Sequence, residues 1–136
     1  MAMSLRLVSV EHLEGTKLSV SVGPHEILSD RPTDEGGTDT GPMSSELLVA
    51  ALGACMAGRL VRYCQSKEIP CTGLCVDLAS ELAEDGSRVA GVAIDITLPE
   101  GFPEDRIIAA QRVVDGCSVH NTLHNPPRID IEFDIA

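Results

Sequence analysis

A chain of 136 residues has room for one hydrophobic core of ordinary size, and 10 Lys and Arg against 21 Asp and Glu leave it a formal charge of −11. That charge repels phosphate backbones and anionic lipid, which argues against nucleic-acid and membrane-surface partners. With no Trp, one Tyr and two Phe, the core has to be filled by Leu, Ile, Val and Ala, and no aromatic platform is available for stacking bases. The first ten residues hold one charge, Arg6, and the chain turns polar at Glu11 without the apolar centre of a secretory leader, so the expected location is cytoplasmic. The cysteines are Cys55, Cys64, Cys71, Cys75 and Cys117, an odd number that suits free or redox-active thiols better than a disulfide framework.

In chain order, Leu5 to Val10 and Lys17 to Val22 flank Glu14-Gly15 and read as a hairpin, with His25 to Ser29 as a short third strand. Asp30 to Met43 is rich in Gly, Pro, Asp and Thr with no apolar period, and reads as an ordered loop inside a single domain of residues 1–136. Ser44 to Gln65 follows, so apolar through its first half that a helix here is expected to be buried nearly all round, with Ser44 as N-cap and Glu46 complementing the helix dipole. Its apolar run ends at Arg59, short of a bilayer span. Leu74 to Leu82 and Arg88 to Leu98 form a second hairpin around Glu84-Asp85-Gly86. Glu104 to Val114 has a helical stripe, Cys117 to His124 reads as a short helix, and Ile129 to Ile135 alternates as a closing strand. The sum is an α+β fold, an antiparallel sheet packed on a long central helix. That helix is too apolar for so few strands to cover, which points to a dimer.

Two cysteines occupy settings that could support chemistry. Cys117 opens a short helix, where unpaired amides favour a thiolate, and Cys55 sits mid-helix with Arg59 one turn on and Arg31 on the preceding loop as possible positive neighbours. The bland alternative is that a free cysteine is a small buried hydrophobe, the reading given to Cys64, Cys71 and Cys75. Cys117, His120 and His124 share a helix face and could hold zinc, but no four-ligand set is visible, and no cofactor motif or phosphate loop is present.

The stretches GGTDTGPMSSELLVAALGAC, Gly36 to Cys55, and DGCSVHNTL, Asp115 to Leu123, together resemble the OsmC/Ohr family of osmotically inducible and organic hydroperoxide resistance proteins, in its broader OsmC-like branch. The resemblance implies an intertwined α+β homodimer with active sites at the subunit interface. It also implies cofactor-free, cysteine-based reduction of organic hydroperoxides, with Cys55 as peroxidatic thiol, Cys117 resolving it through an intramolecular disulfide, and an external dithiol or lipoylated protein as reductant. In that family an arginine from the early hairpin and a glutamate ten residues before the first cysteine activate the thiolate. Here that position is Ser45, Glu46 stands at nine, and Arg31 on the loop is the nearest substitute for an arginine that the early hairpin turn lacks. Ser118 also replaces a proline that commonly follows the second cysteine. The alternative function is a non-catalytic redox sensor or apolar-ligand binder on the same fold.

Overall fold

A computed structural model describes residues 5–136; the first four residues of the amino-terminal stretch lie outside the described residues. The architecture is α+β, with two antiparallel sheets and three α-helices among the described residues. It divides into two compact units, residues up to Leu48 and residues from Val49 onward.

In the first unit, β1 (Val8–Glu14), β2 (Lys17–Val22) and β3 (His25–Ser29) pair in sequence order. Val8 faces Val22 and Val10 faces Val20, so β-branched cross-strand pairs set the register. A register shift between His12 and Glu14 extends β1 to the turn, which is why it runs beyond the Leu5 to Val10 expected from composition. The following loop is pinned by Asp30, almost fully buried. Its carboxylate accepts from the hydroxyls of Thr16 (2.5 Å), Thr38 (2.7 Å) and Thr40 (2.9 Å) and from the Arg31 and Thr38 amides. The Thr16 and Thr38 hydroxyls, more than any other partner, hold that carboxyl far below the usual range. Ser29 Oγ ties the loop's end to the Pro42 carbonyl at 2.8 Å.

α1 (Ser44–Ser66) begins one residue earlier than a cap at Ser44 would place it. The Leu47 amide bonds to the Met43 carbonyl, and Glu46 reaches back to accept from the Met43 amide at 2.9 Å. Met43 therefore holds the cap position, and Glu46 supplies half of a capping box. By length and composition this 23-residue helix is apolar enough to cross a membrane, a property it shares with the core helices of globular domains.

In the second unit, β4 (Cys75–Leu82) and β5 (Val89–Thr97) form a hairpin. α2 (Ile107–Asp115), entered through a 3-10 turn at Glu104–Arg106, and α3 (Ser118–His124) complete it. The buried positions of α1 are Leu52, Gly53, Met56, Leu60 and Cys64, a four-residue repeat that makes one stripe, not the all-round burial expected. Within this unit the β4–β5 hairpin packs against it through Leu78, Val92 and Ile94. At Gly53 the hairpin packs closely, since a Cβ there would lie 2.5 Å from Leu78 Cδ1. Arg59 Nε donates to the Val113 carbonyl at 2.7 Å, and Arg106 reaches the Tyr63 hydroxyl at 3.4 Å, so two polar links fasten α2 to α1. The closing strand expected at Ile129 to Ile135 is not formed. Ile129, Ile131, Phe133 and Ile135 are 73–100% exposed and have no strand beside them among the described residues.

Candidate active site

Cys55 and Cys117 meet in one apolar cluster. Leu52, Met56 and Cys117 form its buried centre, and Cys55, Leu78, Val92, Ile94, Val114 and Val119 pack around it. α1 brings Cys55 to the cluster three residues after Leu52, where the buried stripe begins, and the turn between α2 and α3 brings Cys117. That turn is close-packed, because Gly116 lies against the Arg59 guanidinium, where a Cβ would stand 2.6 Å from Nη2. Cys117 itself caps α3, its sulfur accepting from the His120 amide at 3.4 Å.

The two thiols differ in character. Burial pushes Cys55 up, but hydrogen bonds from the Cys117 thiol, the Val119 amide and the Ser118 hydroxyl and amide outweigh it and bring the group down to about 7. The Ser118 hydroxyl lies 3.7 Å from Cys55 Sγ. Cys117 goes the other way, pushed up by burial and by the neighbouring Cys55 despite the His120 and Val119 amides. The expectation that the helix end would make Cys117 the thiolate is thus reversed. The Ser118 amide and hydroxyl at the start of α3 serve Cys55, which arrives from another helix, while Cys117 is fully enclosed at 0% exposure. No cation is among the groups that lower Cys55; Arg59, offered as one, is engaged with Val113.

Arg31 and Glu46 are both engaged within the first unit. Arg31 pairs with Glu35 at 3.7 Å, and Glu46 holds the Met43 amide. Neither is needed to explain the lowering of Cys55. What the sequence reading missed is Ser118, read only as a change in the turn. The signal was present, since proline has no amide hydrogen and no hydroxyl, whereas serine in that place offers both. His120 and His124 bring their Nε2 atoms to 2.8 Å, but Cys117 does not join them in a metal site, and among the described residues no group of three such side chains is arranged to hold an ion.

The family model described as OsmC-like protein matches residues 37–132, a span containing both cysteines. Similar solved structures include an osmotic-stress and detoxification-response candidate from Psychrobacter arcticus, with TM-score 0.77, 22% identity, and 90% of this chain and 89% of that one covered. An OsmC-like protein from Mycoplasma pneumoniae gives 0.72 and 20%, with 90% and 89% covered. An organic hydroperoxide resistance protein, OsmC, from Legionella pneumophila gives 0.61 and 13%, with 90% and 91% covered. At these identities the likeness is one of fold. No curated protein matches the sequence significantly.

Proposed function

We propose that this chain, which belongs to the OsmC-like protein family, is a thiol-dependent peroxidase that reduces organic hydroperoxides. The observation that carries the reading is the pairing of a lowered thiol, Cys55, with a raised one, Cys117, inside one apolar cluster. The Cys55 thiolate attacks the outer oxygen of the hydroperoxide, the O–O bond breaks, and the alkoxide leaves as alcohol after taking a proton; Cys55 becomes a sulfenic acid. The Cys117 sulfur then attacks Cys55, and the S–O bond breaks. The hydroxide leaves with the Cys117 proton as water, and a Cys55–Cys117 disulfide remains. An external dithiol, free or carried on a lipoylated protein, returns both thiols by exchange. No bound cofactor takes part.

The apolar neighbours of the two thiols, Leu52, Met56, Leu78 and Val119, suit the carbon chain of an organic peroxide better than hydrogen peroxide. The Ser118 side chain and the α3 amides are the activating groups. Arg31 and Glu46 enter as motif-position candidates whose part is to brace the loop and the start of α1. One domain folded as a cytoplasmic homodimer is the assembly we infer. It is supported by exposed Val8, Val10 and Leu13 on the first sheet and by the unpaired alternating terminus, both of which call for cover.

Turnover of cumene hydroperoxide with a dithiol reductant tests the reading. Cys55→Ser should abolish it. Cys117→Ser should still consume one equivalent of peroxide and stop at the sulfenic acid. Full activity in either variant would overturn the assignment.

A further inference from the structure

Cys55 and the groups that bond to it stand on different elements. Cys55 lies on α1, whereas Cys117, Ser118 and Val119 lie at the corner between α2 and α3 and in the first turn of α3. The Ser118 hydroxyl is 3.7 Å from Cys55 Sγ, a separation at which a small retreat of the corner ends the bond. Ser118 is exposed, so packing of its own side chain does not fix the distance. One side chain of α1 does reach across. Arg59, one turn on from Cys55, donates through Nε to the Val113 carbonyl at 2.7 Å. Val113 is in the last turn of α2, and its carbonyl also accepts from the Gly116 amide at 3.3 Å, while the Val114 carbonyl accepts from the Cys117 amide at 3.1 Å. Arg59 therefore grips the carbonyl on which the corner folds. A cation is favoured there in its own right, because the last carbonyls of a helix lack intrahelical partners.

Gly116 belongs to the same device. Its φ of −83° is one that other residues adopt, so the backbone does not call for glycine. The guanidinium does, since a Cβ at 116 would stand 2.6 Å from Arg59 Nη2 and 3.0 Å from Cζ. An added methyl would push the end of that flexible side chain off Val113 while leaving its charge in the protein. Charge is not the route from Arg59 to the thiol. The groups that lower Cys55 are Cys117, Val119 and Ser118, none of them a cation. The hairpin meets the cluster with Leu78, Val92 and Ile94, α2 with Val114 and α3 with Val119, all uncharged, and the other titratable group of the cluster is Cys117.

We propose that Arg59 is a positioning residue for the Cys55 thiol: from α1 it clamps the corner between α2 and α3, so that Ser118 and Val119 stay within reach of the sulfur. The inference deepens the peroxidase reading, resting on its assignment of Cys55 as the reactive thiol and on no step of peroxide reduction. Arg59 touches neither the sulfur nor a substrate; it acts through Val113 and Gly116 on the residues that follow them. Because nucleophile and clamp share one rigid helix, the clamp sets the separation of Cys55 from its donors directly. Releasing it frees the corner to move away from α1 and weakens every bond the corner makes to the thiol.

The test is the rate of Cys55 alkylation by iodoacetamide against pH, read by peptide mass on the reduced full chain without peroxide. Arg59 is exposed and alanine favours helix, so Arg59→Ala keeps the fold. It should move the midpoint upward and slow alkylation near neutral pH about two- to fivefold. Gly116→Ala, which retains the arginine, should move the midpoint in the same direction, and adding it to Arg59→Ala should change nothing further. In a Ser118→Pro background Arg59→Ala should add little, because the hydroxyl and the amide that the clamp holds in place are gone. An unmoved midpoint in either single variant, or an Arg59→Ala shift that adds in full to that of Ser118→Pro, would overturn the proposal. Absence of peroxide turnover in the parent chain, with these shifts intact, would strike the peroxidase reading and leave the role of Arg59 standing.

Discussion

At Cys55 two opposed effects meet: partial burial disfavours the thiolate, and donors from α3 and Cys117 favour it more strongly. The sign of the pH dependence follows. Below about 7 the thiol is protonated and a poor nucleophile, so peroxide-driven oxidation should rise through about pH 7 and level off above it. An ordinary cysteine would reach its midpoint only near 9.0. Ser118→Ala removes the hydroxyl, and Ser118→Pro removes the amide donor as well. The alanine variant should oxidise about three- to tenfold more slowly at neutral pH and the proline variant more slowly still, each with a midpoint moved upward. Alkylation of Cys55 against pH, followed by peptide mapping, reads that midpoint. An unmoved midpoint in both variants would show that Ser118 does not activate the thiolate.

Among the elements, α1 shows what the sequence could and could not convey. Its existence and length were legible, because an apolar run bounded by Ser44 and Gln65 has few other solutions. Both hairpins were legible from alternation and turn residues, though β1 was displaced by a bulge that no residue type announces. The cap at Met43 was not, since it depends on Glu46 reaching backward. Nor was the reversal between the two cysteines, because a helix end serves whichever sulfur the tertiary structure brings to it. The single buried stripe makes a prediction of its own. Gly53→Val forces side-chain volume onto Leu78 and should cost about 1–3 kcal/mol in denaturant unfolding. Combining it with Leu78→Ala should cost less than the sum of the two changes, because the clash is shared. Strict additivity would mean that the hairpin does not pack there.

For the whole molecule, the alternation of Ile129, Ile131, Phe133 and Ile135 reads as a strand, yet among the described residues nothing pairs with it. A strand is defined by its neighbour, and sequence does not say which copy supplies it. If the proposed homodimer covers this segment, removing residues 128–136 should shift the species seen by sedimentation from dimer toward monomer, whereas an unchanged dimer would place the interface elsewhere. The lowered thiol and the raised thiol have a chemical purpose only if they join. The most direct measurement is therefore the intact mass, free-thiol count and peptide map of the reduced protein before and after one equivalent of cumene hydroperoxide. Loss of two hydrogen atoms with Cys55 linked to Cys117 is the predicted result; unchanged mass in protein that remains folded would contradict a peroxidase and leave a fold that keeps its thiols for something else.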